Sequence, residues 1–228
     1  FEEPEEYTQM ISSYLSCQSE LRRIITVTFR GAGDDPVVRA QIYQEWEEFL
    51  ASLEPQEYRI IIIPDNYRNW QESEFFSKYE RCETATVNVL FRVALYRHAY
   101  LNMFIDNSCA DSVRWTGASS LVFNQINRQV TSSLPWFRSI LGVDFGDQLP
   151  MTSKNHVLVW GTQTKELIKS EFDKFSAEFP ESLLGQTGGL VKHGTQSIRQ
   201  QHLLCESVLN YISEKMSVLV EQEHIDTI

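Results

Sequence analysis

The amino-acid sequence predicts an α/β fold, a parallel sheet with helices on both faces, followed by a long C-terminal helix. Three observations predict it. Apolar runs rich in β-branched and aromatic residues recur at 24–29 (IITVTF), 58–63 (YRIIII), 102–105 (NMFI) and 121–124 (LVFN), as buried strands require. Stretches between them carry helical periodicity, and strands joined by helices pair in parallel through right-handed crossovers. The runs end abruptly in Arg30, Pro64-Asp65, Asp106-Asn107-Ser108 and Asn124, which is how strands end at the ligand-binding edge of an open α/β sheet.

Each element has its own signal. Residues 1–23 open with the acidic Phe1-Glu2-Glu3-Pro4-Glu5-Glu6 and are read as a lead-in segment to a domain over 24–175. After the strand 24–29 comes Arg30-Gly31-Ala32-Gly33-Asp34-Asp35-Pro36, where Asp35 suits a helix N-cap and Pro36 the first helical position. Val38, Ile42, Trp46, Phe49, Leu50 and Leu53 then recur at helical spacing, so 37–53 is an amphipathic helix. Glu54-Pro55-Gln56-Glu57 turns the chain into the strand 58–63. The polar, aromatic stretch 67–82 is expected to be loop with a short helix. Val87, Leu90, Phe91, Ala94, Leu95 and His98 share one face of a helix over 84–99, which feeds the strand 102–105. A short helix over 112–117 precedes the strand 121–124.

The pattern loosens from Asn127 to Pro150, a long connection. HVLVW (156–160) reads as a last strand, and 164–175 as a helix with Leu167, Ile168, Phe172 and Phe175 inward. The remaining part, 176–228, comprises a glycine-containing loop over 185–194 and a helix over 195–224. Ile198, Cys205, Val208, Leu209, Ile212, Met216 and Leu219 form a stripe on that helix, which is expected to pack on this domain or on another subunit. No internal repeat is visible. The whole is a Rossmann-like sheet.

Composition limits the function classes. The 228 residues give room for one large domain, and 42% hydrophobic with 22% charged residues is ordinary for a globular protein. A formal net charge of -11 argues against nucleic acid and against an anionic membrane surface as partners. A small phosphorylated ligand needs only one local cluster of donors and stays compatible with that charge. Cys17, Cys82, Cys109 and Cys205 are widely separated, with no C-x-x-C pair and no Cys beside a His at metal-ligand spacing, so reduced thiols of a cytoplasmic protein are expected. The longest apolar run, 60–64, is far too short to span a bilayer, and the N-terminus lacks the features of a signal peptide. Because the chain starts with Phe, it is expected to be a piece of something longer.

Several residues are candidates for chemistry. The Gly31-Ala32-Gly33 loop invites a dinucleotide reading, but the third glycine is missing and Asp34 and Asp35 would repel a pyrophosphate. Arg30, just past a buried strand, either holds a phosphate in bidentate fashion or pairs with Asp34 or Asp35. The five histidines never approach one another in sequence, and His98 reads as a core or boundary residue. Ser108 lacks the G-x-S-x-G context of a hydrolase nucleophile. Cys109 is the best placed thiol, with nothing nearby in sequence to lower its pKa.

The run ALYRHAYLNMFIDNSCADSVRWTGASSLVF (94–123) resembles the nucleotide-binding half of GT-B glycosyltransferases, the heptosyltransferase-like ones in particular. In that family a helix leads into an apolar strand, an Asp-Thr-Gly-Pro turn, a short helix carrying His, and a strand ending near Phe-Gly. Asp106 falls at the Asp, Asn107 at the Thr, Ser108 at the Gly, Cys109 at the Pro and Asp111 at the His. ITVTFR followed by a helix and YRIIIIPD is similar to the opening of that half-domain, and LPMTSKNHVLVWGTQTKELIKSEFDKF to the ends of bacterial proteins grouped with such transferases. The resemblance covers 24–175 in pattern, and Asp106 is the one strict match in the turn.

The resemblance implies a C-terminal, donor-binding half that uses a nucleotide-diphosphate sugar in glycan or polysaccharide biosynthesis. Arg30 and the backbone of Asn107 and Ser108 would hold the diphosphate, while Asp65 and Asp106 would shape the loops or touch ribose or sugar; Asn124 is a further substrate-binding candidate. No metal or other cofactor is implied, and the catalytic base would come from a second half-domain. The loss of Gly-Pro from the turn leaves a second expectation: a non-catalytic α/β binding or scaffolding domain that assembles, as a homo-oligomer for example, through its C-terminal helix.

Overall fold

The computed structural model describes residues 4–16, 22–29, 36–65, 76–105, 109–114, 116–124, 135, 137–149 and 152–180. The chain divides into two units, Phe1–Leu184 and Gly185–Ile228, and every described residue belongs to the first. The expected C-terminal helix over 195–224 therefore lies outside the described residues.

Six parallel strands form the sheet: β1 (Arg23–Phe29), β2 (Tyr58–Pro64), β3 (Glu80–Arg81), β4 (Leu101–Ile105), β5 (Ser120–Asn124) and β6 (His156–Trp160). Their order is β3-β2-β1-β4-β5-β6, a doubly wound, Rossmann-like arrangement whose direction of winding reverses beside β1. Pro64, Phe29, Ile105, Phe123 and Val159 stand on one register line, so the strands end together.

Helices cover both faces. On one, α2 (Pro36–Leu50) and α6 (Lys165–Glu178) bury Tyr43, Trp46, Phe49, Ile168, Phe172 and Phe175 against Ile25, Val27 and Phe29 of β1. The alternation of side chains along a strand sends the other set, with Ile61, Ile63 and Phe104, to the opposite face. There they meet α1 (Glu5–Ser16), α3 (Glu83–Val87), α4 (Val89–His98) and α5 (Cys109–Arg114). A buried hydrogen bond from Trp46 Nε1 to Gln163 Oε1, 2.8 Å, ties α2 to the turn before α6. Thr164 caps α6 by accepting from the Leu167 amide.

Four sequence expectations are corrected. The segment 1–23 is more than a lead-in, because α1 packs Ile11 into the core on the α4 side. The stretch before Cys82 ends in an edge strand, β3, held by Arg59 of β2, whose Nε and Nη2 each reach the Glu80 carboxylate at 2.8 Å. The helix expected over 84–99 is two helices broken at Asn88, whose extended backbone ends α3 and starts α4. That break takes Val87 and Leu90 off the inward face, leaving them 70% and 41% exposed, while Phe91 to Tyr96 are buried. The short helix expected over 112–117 begins earlier, at Cys109. Among the described residues, no helix is long and apolar enough to cross a membrane.

Candidate functional site

A doubly wound sheet opens a crevice where successive connections leave in opposite directions, here at the carboxyl ends of β1 and β4. Phe29 and Ile105 are register partners at those ends. Arg30, which follows the first, and Asp106, Asn107 and Ser108, which follow the second, lie outside the described residues. Asp65 is the first residue after β2, and its amide donates to the Phe29 carbonyl at 3.2 Å, extending the ladder by one bond. Asn124 is the last residue of β5, paired in register with Trp160.

The structure joins Asp65 to residues that the sequence did not single out as a group. The Cys109 thiol, at the start of α5, donates to Asp65 Oδ1 at 3.2 Å. Arg92 of α4 lies beneath both. Its Nη1 reaches Cys109 Sγ at 2.7 Å, and its Nη2 donates to the carbonyls of Thr86 at 2.9 Å, Asp65 at 3.2 Å and Pro64 at 3.4 Å. Nε donates to the Ala85 carbonyl. One turn further along α4, the Tyr96 hydroxyl shares a hydrogen bond of 2.7 Å with Thr28 of β1. Arg92 and Tyr96 are thus the polar members of a buried helical face.

Burial pushes the Cys109 thiol up to about 12, against the pull of the Arg92 charge and with the help of Asp65. The thiol therefore stays protonated and serves as a donor; it is not poised as a nucleophile. Burial likewise raises the Tyr96 phenol far above its ordinary value. The signal for Arg92 in the sequence is a single basic residue inside the apolar run FRVALY, a position where a cation must find partners to be buried.

A second polar group sits at the amino ends of the strands. Thr26 donates to Asn102 Oδ1 at 2.6 Å, Asn102 Nδ2 donates to the carbonyls of Tyr96 and Ser119, and Ser120 Oγ meets His156 Nδ1. Ser120 and His156 are 0% and 3% exposed, so this serine–histidine pair has no route to a substrate and serves the frame. His98 is half-buried, with Nδ1 against the Ala94 carbonyl at 2.9 Å. Among the described residues, no three His, Cys, Asp or Glu side chains gather into a metal-binding group.

No protein-family model matches the chain, and no curated protein matches it in sequence. Among solved structures, it is similar to the trehalose-6-phosphate phosphatase N-terminal domain of Candida albicans, with a TM-score of 0.46 and 10% identity. That alignment covers 100% of this chain and 47% of the other, so the chain spans about half the length of that protein.

Proposed function

We propose that this chain binds a nucleotide-diphosphate sugar at the carboxyl edge of its sheet, as the donor-binding half of a GT-B-type glycosyltransferase in glycan or polysaccharide biosynthesis. The observation that carries the reading is the strand order, which puts the crevice between the exits of β1 and β4. Those exits lead into Arg30 and into Asp106-Asn107-Ser108, the segment that bears the resemblance. In this reading Arg30 and the amides of Asn107 and Ser108 hold the diphosphate. Asp65 and Asp106 shape the loops or touch ribose or sugar, with Asn124 as a further substrate-binding residue at the same edge. The acceptor and the catalytic base come from a second half-domain.

Calorimetric titration of the intact protein with nucleoside diphosphates and their sugars tests this. Saturable binding that weakens in Arg30→Ala and Asp106→Ala supports it, and no heat with any nucleotide overturns it.

One observation favours a second reading, a non-catalytic binding or scaffolding domain. Val87, Val89 and Leu90, close to this edge, are 70%, 66% and 41% exposed. Side chains of that kind suit contact with another protein surface. A protein that binds no nucleotide yet forms a stable complex lost in Val87→Glu/Val89→Glu would favour the scaffold.

A further inference from the structure

The Arg59 guanidinium joins three elements at once. From β2, its Nε and Nη2 each reach the Glu80 carboxylate of β3 at 2.8 Å, and its Nη1 donates to the Leu15 carbonyl of α1 at 3.2 Å. The guanidinium carbon lies 5.4 Å from the centre of the Tyr14 ring, and the Tyr14 hydroxyl donates to Glu80 Oε1 at 2.6 Å. Arg59, Glu80 and Tyr14 thus form a closed triangle with one corner on each of β2, β3 and α1. Arg59 is 7% exposed, so its charge is desolvated and losing its partner is costly.

Away from this triangle, α1 and β3 are lightly anchored. Of the twelve residues of α1, Ile11 alone is fully buried. Tyr7, Tyr14 and Leu15 pack half-buried on the α4 side, where the Tyr14 ring meets Phe91 edge-on with centroids 5.9 Å apart. A helix of that length is marginal in water without a surface to pack on. β3 is two residues long, pairing Ile61 with Glu80 and Ile62 with Arg81. The Cys82 amide extends that ladder by donating to the Ile62 carbonyl at 3.0 Å. Two elements too small to stand alone therefore share one set of contacts, and elements so linked open as one unit.

We propose that α1 and β3 are a single strap, latched by the Arg59–Glu80–Tyr14 triangle, that opens from the sheet as a unit while the rest of the domain stays folded. Opening uncovers Phe91 where the Tyr14 ring lies on it, and it leaves β2 as the edge of the sheet. β2 carries the run Ile60-Ile61-Ile62-Ile63. An apolar edge with free backbone groups pairs readily with another strand, so the latch guards the edge to which such a strand would add. The strap does not depend on the nucleotide-sugar reading.

Native-state hydrogen exchange of the full chain at pH 7 tests this. In wild type, the amides of Ile11 and Cys82 should be equally protected within about threefold, and at least about tenfold less than that of Val27 in the centre of β1. Phe172→Leu weakens packing on the opposite face of the sheet. It should lower protection at Val27 and leave Ile11 and Cys82 unchanged, because the strap opens without breaking that face. Tyr14→Phe keeps the ring and removes one hydrogen bond. It should lower protection at Ile11 and at Cys82 by the same factor, about fivefold. Glu80→Gln should lower both by about thirtyfold, and if that variant does not fold Tyr14→Phe decides alone. A change at one amide and not the other in Tyr14→Phe means that α1 and β3 open separately. Wild-type protection at both in that variant means that the triangle is no latch. Protection at Ile11 and Cys82 that equals that of Val27, or falls with it in Phe172→Leu, means that they open only with the whole domain. Any of these three results overturns the proposal.

Discussion

The Cys109 thiol donates a hydrogen bond of 3.2 Å to Oδ1 of Asp65 and thereby joins the exit of β2 to the helix that follows β4, past the end of β1. Because burial holds the thiol near 12, the thiolate is scarce at neutral pH. Cys109 should therefore be alkylated by iodoacetamide at pH 8 at least about a hundredfold more slowly in the native chain than in guanidinium. Peptide mapping by mass spectrometry reads the rate. A native rate close to that of the unfolded thiol would show that the contact is absent in solution.

Acid should loosen the β3 edge. Burial disfavours the Glu80 carboxylate, but two hydrogen bonds from Arg59 and one from the Tyr14 hydroxyl outweigh it and hold Glu80 below its ordinary value. A carboxyl whose folded-state pKa is depressed contributes stability that is present above its unfolded value and is lost as pH falls through the folded one. Glu80→Gln, which removes the carboxylate charge facing buried Arg59, should cost roughly 2 kcal/mol at pH 7. In urea titrations, the gap between the variant and wild type should close as pH falls below about 4. A gap of constant size down to pH 3 would contradict the assignment.

His156 should set a second, higher acid threshold. Burial first, and the charge of Arg114 second, lower its imidazole to about 4. Its Nε2 is buried and has no partner among the described residues, so the imidazolium, with an N–H on each nitrogen, would hold an unpaired donor there. The neutral ring contributes stability that is full above the unfolded value near 6.5 and drains away as pH falls towards 4, on the order of 3 kcal/mol in total. Stability plotted against pH should slope by close to one proton across that window in wild type and lose that slope in His156→Gln. Equal slopes would mean that the imidazole titrates normally in the fold.

How much of this the sequence carries depends on how local each signal is. β1, β2, β4, β5 and β6 are legible because each is an apolar run, and α6 because Ile168, Phe172 and Phe175 repeat at helical spacing. β3 is not legible, since it is the charged pair Glu80-Arg81, made a strand by pairing with β2 and by Arg59 from 21 residues away. Asn88 does not read as a break because helical periodicity runs on either side of it. At the candidate site, Asp65 is legible as the polar residue that ends an apolar strand. Its joining to Cys109 and Arg92 is not, because those contacts span 44 and 27 residues and depend on which strands become neighbours.

Asn88 offers the sharpest check on how the site is framed. Its amide donates to the Thr84 carbonyl at 2.9 Å to close α3, and its side chain accepts from the Phe91 amide at 3.0 Å to open α4. The two carbonyls of α3 that bind Arg92, those of Ala85 and Thr86, therefore meet the guanidinium across a junction that this one residue shapes. Asn88→Ala removes the cap and should cost about 1 kcal/mol, while Asn88→Asp, which keeps an acceptor at the same place, should stay within a few tenths. Hydrogen exchange localises the loss, because in Asn88→Ala the Phe91 amide has no capping partner and should exchange faster, with amides in the centre of β1 unchanged. If Asn88→Ala keeps wild-type stability and wild-type exchange at Phe91, α3 and α4 are one continuous helix in solution. The face that buries Arg92 would then have to be redrawn.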